Sequence, residues 1–307
     1  MMSRQSIDGH TQLVGLMGWP VAHSLSPAMH NAAFEALGLN WRYVPLPVPP
    51  GQVAAALRGL AALGFRGANV TVPHKAAVLP KLDAVAEEAG AFGAVNTLAV
   101  ERDADGKARL TGHNTDVAGF IGALRDSGFD PEGRSAVVIG AGGGARSVVY
   151  ALMKARAASI VVLNRSPERA RVLISDLAGS GPYAAAGPRP TRLEALPLSP
   201  HVLTASAGAT DLLVNATSVG MWPHGENSIW PEDEPIPPGL TVFDLVYNPR
   251  ETKLMRQARR SAAQAVSGLG MLVLQGVLSF ELWTGLEAPV KAMRKACAPS
   301  LHPADGP

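Results

Sequence analysis

At 307 residues the chain can hold two domains of ordinary size, each with its own core. Apolar residues make up 47% and charged residues 17%, with a formal net charge of +2, which points to a well-packed soluble protein and argues against nucleic acid or a membrane surface as partner. The single cysteine, Cys297, excludes an intrachain disulfide and any cysteine-cluster zinc site.

The opening "MMSRQSIDGH" has no apolar core of a secretory signal, so a cytoplasmic location is expected. Strand-like and helical runs then alternate. "QLVGLMG" (12–18) reads as a strand. "SPAMHNAAFEALG" reads as a helix capped by Ser26, with Pro27 at its first position. "WRYVPLPV" is a strand, "GQVAAALRGLAALG" a helix ended by Gly64, and "GANVTVP" a strand closed by Pro73. "AVNTLAVE" and "ARLTGHN" read as two strands joined by the turn "RDADGK". The pattern predicts an α/β fold with a sheet covered by helices.

A second unit begins near Asp116. "TDVAGFIGALRDSG" has helical periodicity, and Asp116 can serve as an N-terminal cap there. "SAVVIGAGGGARSVVYALMKA" is strand, glycine-rich turn and helix; "SIVVLNRS", "PERARVLISDLAG", "DLLVNATS" and "LTVFDLVYNP" continue as strand, helix, strand, strand. This order predicts a doubly wound Rossmann domain. The Gly- and Pro-rich segment 178–200 reads mostly as a long surface loop, and the apolar stretch "GLGMLVLQGVLSFELW", with Gln275 and Glu281, as a buried helix too short and polar to span a bilayer. His23 and His30 come nearest to a metal-ligand pattern but read as structural or loop residues, so no metal is expected.

The turn "GAGGGA" fits G-x-G-x-x-A, with Gly140 and Gly142 in the glycine places and Ala145 in the third. The first glycine permits the tight turn; the second lets backbone approach a pyrophosphate seated on the helix N-terminus. An ordinary βα turn is the plainer reading, but the flanking strand and helix favour a dinucleotide. The next strand ends on Asn164-Arg165-Ser166, with Arg169 following and no carboxylate at the strand end. Two guanidinium groups four residues apart, and so on one face of the helix start, and a hydroxyl suit the 2′-phosphate of NADP rather than the ribose hydroxyl of NAD.

Four further polar clusters stand at strand ends or helix starts: "HSLSPAMHN", "NVTVPHK", "AVNTL" with "GHNTD", and "GLGMLVLQG". They offer hydroxyls, amides, one lysine and one aspartate. That set suits a polyhydroxylated, anionic small molecule. Lys75 alone would read as a solvated residue after a strand; a lysine held at the end of a stiff element can instead stabilise and protonate an alkoxide.

With "GWPVAHSLSPAMHN", "GANVTVPHK", "GAVNTL", "GHNTD", "GAGGGAR", "NRSPERA", "NATSVGM", "DLVYNP" and "GLGMLVLQG" in one order, the chain resembles the shikimate/quinate dehydrogenase family over nearly its whole length, in its NADP-dependent shikimate dehydrogenase form. Two departures are His113, where an acid is common, and the length of 178–200. The resemblance implies reversible, NADP(H)-dependent reduction of 3-dehydroshikimate to shikimate in aromatic amino-acid (chorismate) biosynthesis. It implies that Ser24 and Ser26, with Tyr247, bind the substrate carboxylate. Thr71, Lys75, Asn96, Asp116 and Gln275 then surround the ring hydroxyls, with Lys75 and Asp116 the catalytic pair. Gly140, Ala141, Gly142, Gly143 and Gly144, together with Asn164, Arg165, Ser166 and Arg169, hold the cofactor. Leu245 and Gly268 line its nicotinamide end, and Glu87 matches a further cofactor-side position. The expected domains are 1–115 with 268–307 for substrate and 116–267 for NADP. A homodimer is the candidate assembly, which the sequence does not fix. An NAD-preferring quinate dehydrogenase and a non-catalytic dinucleotide sensor are the rival readings; the missing strand-end carboxylate opposes the first, and the presence of both Lys75 and Asp116 the second.

Overall fold

The computed structural model describes residues 7–91, 93–179 and 190–298. They fall into two compact units: one holds the chain up to Thr115 and from Val273 through the last helix, the other Asp116–Leu272.

The first unit begins with β1 (Gln12–Gly18), α1 (Ser26–Ala36), β2 (Trp41–Pro47), α2 (Val53–Ala62) and β3 (Gly67–Val70). It continues with β4 (Ala84–Val85), α3 (Glu87–Ala91), β5 (Thr97–Arg102) and β6 (Ala108–His113). The sheet order is β2-β1-β3-β5-β6-β4. β1 pairs parallel with β2 and β3, and β4 with β6, while β5 runs antiparallel to β3 and β6. The sheet is therefore mostly parallel, as expected. A core of Met17, Leu57, Leu60, Val70, Val78 and Leu98 packs α2 against it. Gly67 shows how tightly the sheet is covered elsewhere: a Cβ there would stand 2.3 Å from the indole Nε1 of Trp283, which donates to the Leu98 carbonyl at 2.9 Å.

The second unit runs α4 (Asp116–Asp126), β7 (Ser135–Ile139), α5 (Gly143–Lys154), β8 (Ser159–Asn164), α6 (Pro167–Ala178) and β9 (Arg192–Pro197). It continues α7 (Pro200–Ala207), β10 (Leu212–Asn215), β11 (Thr241–Asp244), α8 (Lys253–Arg260) and β12 (Gln264–Ser267). α9 (Leu269–Thr284) spans the boundary between the units, and α10 (Val290–Cys297) ends the described chain. The second sheet has the order β12-β11-β10-β7-β8-β9, with every pairing parallel. This is the doubly wound dinucleotide-binding order, reversing between β7 and β10. Its central strands are continuous apolar runs because helices cover both faces; Val137, Ile139, Leu213 and Val242 are fully buried.

Three expectations are corrected. Ser26 does not cap α1: it is the first helical residue and Leu25 holds the cap position. β3 ends at Val70 rather than running to Pro73, and Pro73 lies in the turn that follows, because its pairing stops at Asn69–Thr97 with β5 and at Met17–Val70 with β1. Within 178–200, Arg192–Pro197 is not loop but β9, paired with β8; 180–189 lie outside the described residues.

Candidate functional site

On the first unit, the chain leaving β1 makes a tight turn in which the Ser24 N–H donates to the Val21 carbonyl at 3.1 Å. The Ser24 hydroxyl oxygen then accepts from the Ser26 N–H at 3.2 Å. Ser24, not Ser26, thus satisfies an amide at the start of α1. Ser26 is buried and Ser24 half-buried. A Cβ at Gly18 would meet the Thr71 methyl at 2.3 Å, so the glycine ending β1 lets Thr71 close on this turn.

Lys75 sits in the turns after β3. The Thr71 N–H donates to the Met17 carbonyl at 2.8 Å and the His74 ring Nε2 lies 2.7 Å from the Val48 carbonyl. The Val95 N–H donates to the carbonyl of Lys75 itself at 2.9 Å. These ties make the turn stiff and place the half-buried Lys75 next in space to the "VNT" segment.

That segment carries a buried polar cluster. Oδ1 of Asn96 accepts from the Thr115 N–H at 2.8 Å and the Thr97 hydroxyl at 3.0 Å. Its Nδ2 lies 2.9 Å from the Thr115 hydroxyl and 3.5 Å from Oε1 of Gln275 on α9. Residues from three separate motifs thus meet within one unit. Sequence reasoning quoted the motifs but did not single out Asn69, Thr97 or Thr115; Ser279, one turn beyond Gln275, carried no signal except that spacing.

Asp116 follows Thr115 directly as the first residue of α4 and is buried. Glu87 is exposed at the first position of α3. It stands on the first unit, whereas every other cofactor candidate lies on the second.

On the second unit, Gly140 holds φ +113, and a Cβ there would lie 3.0 Å from the Ala216 carbonyl of the loop after β10. Only glycine fits this turn at the switch point. Gly142 is the extended N-cap of α5 with no side-chain cap, so the helix presents backbone N–H groups at its positive end. Gly143 and Gly144 open that helix, and Leu245 packs over Gly144. A Cβ on Gly268 would stand 2.3 Å from the Leu245 carbonyl. The structure therefore gathers Gly144, Leu245 and Gly268.

Behind them Asp244, fully buried, accepts from Asn215 Nδ2 at 2.9 Å, the Val246 N–H at 3.0 Å and the Thr252 hydroxyl at 2.6 Å. Burial pushes its carboxyl up to about 6 against those donors. This cluster ties the loops after β10 and β11, and the half-buried Tyr247 follows Val246 in the second of them.

At the end of β8, Asn164 Nδ2 donates to the Ser166 carbonyl at 2.8 Å, and Ser166 is the N-cap of α6. Arg165 precedes the helix, so it does not share a helical face with Arg169; both are exposed. Arg169 lines an open groove of about 320 Å³ together with Ala141, Arg146, Glu168, Val172 and Leu173. Sequence reasoning missed Arg146, the last residue of "GAGGGAR", which is ion-paired with Asp176.

The glycine turn at the switch point, the uncapped helix start and the cationic strand end define the second unit as a nucleotide-binding α/β unit of oxidoreductase type. Residues 16–98 match the shikimate dehydrogenase substrate binding domain, 124–225 the shikimate/quinate 5-dehydrogenase domain, and 268–297 the shikimate 5'-dehydrogenase C-terminal domain. The chain is 48% identical to the shikimate dehydrogenase (NADP(+)) of Moorella thermoacetica, over 98% of this chain and 97% of that protein. The structure of shikimate 5-dehydrogenase from Thermus thermophilus in complex with NADP(H) and shikimate is 37% identical, with a TM-score of 0.77 over 95% of this chain and all of that one. Quinate dehydrogenase from Corynebacterium glutamicum in complex with NAD is 32% identical, with a TM-score of 0.80 over 93% and 98%. The chain belongs to the shikimate dehydrogenase family.

Proposed function

We propose that this protein catalyses the reversible, NADP(H)-dependent reduction of 3-dehydroshikimate to shikimate in aromatic amino-acid biosynthesis, in the cytoplasm. The first unit binds the substrate and the second the dinucleotide. The observation that carries this reading is the buried Asn96–Thr115–Gln275 cluster, fixed beside a turn that holds Lys75, in a chain 48% identical to a shikimate dehydrogenase (NADP(+)). None of the helices among the described residues is long and apolar enough to cross a membrane.

The residues present fit the dinucleotide. A Cβ at Gly140 would crowd the loop after β10, and the α5 N-terminus carries no side chain that competes for its N–H groups. Gly140, Ala141, Gly142, Gly143 and Gly144 would cradle the pyrophosphate, while Asn164, Arg165, Ser166 and Arg169 would meet the 2′-phosphate. Leu245 and Gly268 would flank the nicotinamide, with Glu87 a further contact. When bound, NADPH supplies the hydride. As the substrate carbonyl is reduced, negative charge would develop on its oxygen. Lys75 stabilises that charge and delivers a proton to the oxygen, and Asp116 is the second member of the catalytic pair. Ser24 and Ser26 hold the substrate carboxylate with Tyr247, and Thr71, Asn96 and Gln275 hold the ring hydroxyls.

The test is direct. The purified protein, given shikimate and NADP, should produce the absorbance of reduced nicotinamide, and 3-dehydroshikimate with NADPH should run the reaction back. Absence of turnover in both directions would refute the reading.

A further inference from the structure

We infer that Thr97 is a positioning residue, whose hydroxyl, backed by Asn69 and Ser279, fixes the side-chain amide of Asn96 so that its NH2 end is turned to Gln275 and the two amides meet substrate in one set orientation. The inference rests on the reading above that Asn96 and Gln275 meet the substrate, and it adds how they are aimed.

Two side-chain amides here cannot be turned over. Nδ2 of Asn69 lies 3.2 Å from the backbone carbonyl of Asn96, which only accepts. Oδ1 of Asn96 lies 2.8 Å from the backbone N–H of Thr115, which only donates. The Thr97 hydroxyl stands between these amides, 3.0 Å from Asn69 Nδ2 and 3.0 Å from Asn96 Oδ1. Since Asn69 Nδ2 donates to it, Thr97 accepts on that side and gives its own proton to Asn96.

Ser279 repeats the arrangement one turn after Gln275. Its hydroxyl lies 2.9 Å from both Asn69 Nδ2 and Thr97 Oγ1, and donates to the Gln275 carbonyl at 3.0 Å. Behind them the Tyr43 hydroxyl donates to Asn69 Oδ1 at 2.9 Å. Thr97 and Ser279 are wholly inaccessible, and Tyr43, Asn69 and Asn96 are at most 5% exposed, so no water can stand in for a lost partner without rearrangement.

The outcome is a set donor direction. With Oδ1 of Asn96 occupied by two donors, its NH2 faces Gln275 Oε1 and the Thr115 hydroxyl. Gln275 Oε1, 3.4 Å from the Thr115 hydroxyl, is the accepting end of its amide. The two amides are thereby ordered as a pair, the Asn96 NH2 directed at Thr115 and at the Oε1 end of Gln275, so that Asn96 sets which way the Gln275 amide is turned. Valine at position 97 would keep the volume, remove the proton given to Asn96 and strip Asn69 of an acceptor.

The experiment is steady-state kinetics on Thr97→Val, Thr97→Ser, Asn96→Ala and the Thr97→Val/Asn96→Ala double variant. Thr97→Val should raise KM for shikimate about tenfold, with KM for NADP unchanged and kcat within about threefold, and Thr97→Ser should restore KM to within about twofold. In the Asn96→Ala background Thr97→Val should add nothing further, which a residue that merely supports the fold would not show. If Thr97→Val fails to give a cooperative thermal transition, Ser279→Ala carries the same test, with an expected rise of about threefold in KM for shikimate alone. An unchanged KM for shikimate in Thr97→Val, an equal rise for NADP, or full additivity with Asn96→Ala would each overturn the inference. If Asn96→Ala is impaired while Thr97→Val is normal, only the positioning role falls. If Asn96→Ala is itself normal, the substrate reading of Asn96 falls with it.

Discussion

On the first unit two of the groups proposed to meet substrate, Asn96 and Gln275, are buried and bonded into one cluster with Thr97, Thr115 and Ser279. On the second unit the groups proposed to meet the 2′-phosphate, Arg165, Ser166 and Arg169, stand exposed at the end of β8 and the start of α6. The contrast teaches where selectivity comes from. A buried amide of set polarity rejects a ligand that cannot pair with it, because the orphaned group pays full desolvation. A solvated guanidinium attracts a phosphate but loses little when the phosphate is missing, so it favours NADP without excluding NAD.

The largest break should come at Lys75. Lys75→Ala should lower kcat by at least about a hundredfold while KM for shikimate changes far less, the pattern of a group that acts in the transition state. A near-normal kcat with a large KM would make Lys75 a binding residue only.

On the exposed side, one or two charge-assisted bonds of roughly 1.5–3 kcal/mol each give a preference for NADP of about a hundredfold in kcat/KM. Arg165→Ala and Arg169→Ala should each remove much of it by weakening NADP, with NAD turnover nearly constant. The preference should also shrink as ionic strength rises, while KM for shikimate moves less. Equal damage to both cofactors would show that these arginines do not read the phosphate.

Ser24→Ala and Ser26→Ala sharpen the buried side. Each removes a hydrogen bond to a charged carboxylate, so KM for shikimate should rise about ten- to a hundredfold with KM for NADP unchanged. Ser24→Ala also removes the acceptor of the Ser26 N–H, so it should show the larger loss of thermal stability of the two.

His30 supplies an effect on stability alone and a contrast inside the first unit. Its ring is buried and stacked on Tyr43, and neither nitrogen has a hydrogen-bond partner among the described residues. Burial holds its pKa down to about 3, against an ordinary value of 6.5. Between those values the unfolded chain binds a proton that the native one refuses, so stability falls as pH drops below about 6.5 and is unaffected above it. His30→Phe should cancel that loss: relative to wild type, the variant should gain about 2–3 kcal/mol at pH 4.5 compared with pH 7.5, measured by urea unfolding. The same difference at both pH values would mean that His30 is not the acid-sensitive group.

Much of this was legible in the sequence for a physical reason. β7, its glycine turn and α5 form a local unit in which period and turn chemistry agree, so neighbouring residues suffice to place them. β9 was not legible, because "RLEALP" is a short edge strand after a Gly- and Pro-rich stretch, and only its pairing with β8 makes it a strand. The length of β3 escaped for the same reason: its antiparallel pairing with β5 ends at Asn69–Thr97, and Thr97 lies far along the chain. The contacts of the Asn96 cluster were invisible because its hydroxyls come from β5, the residue before α4, and α9, and no spacing in the chain encodes that meeting. The Arg165–Arg169 reading assumed a shared helical face that the α6 cap position does not provide.

The most direct measurement is kcat/KM for shikimate and quinate, each with NADP and NAD. The account predicts that shikimate with NADP is fastest, ahead of shikimate with NAD by about a hundredfold, and that quinate is poor with either cofactor. Equal use of NAD, or quinate turned over as well as shikimate, would contradict it.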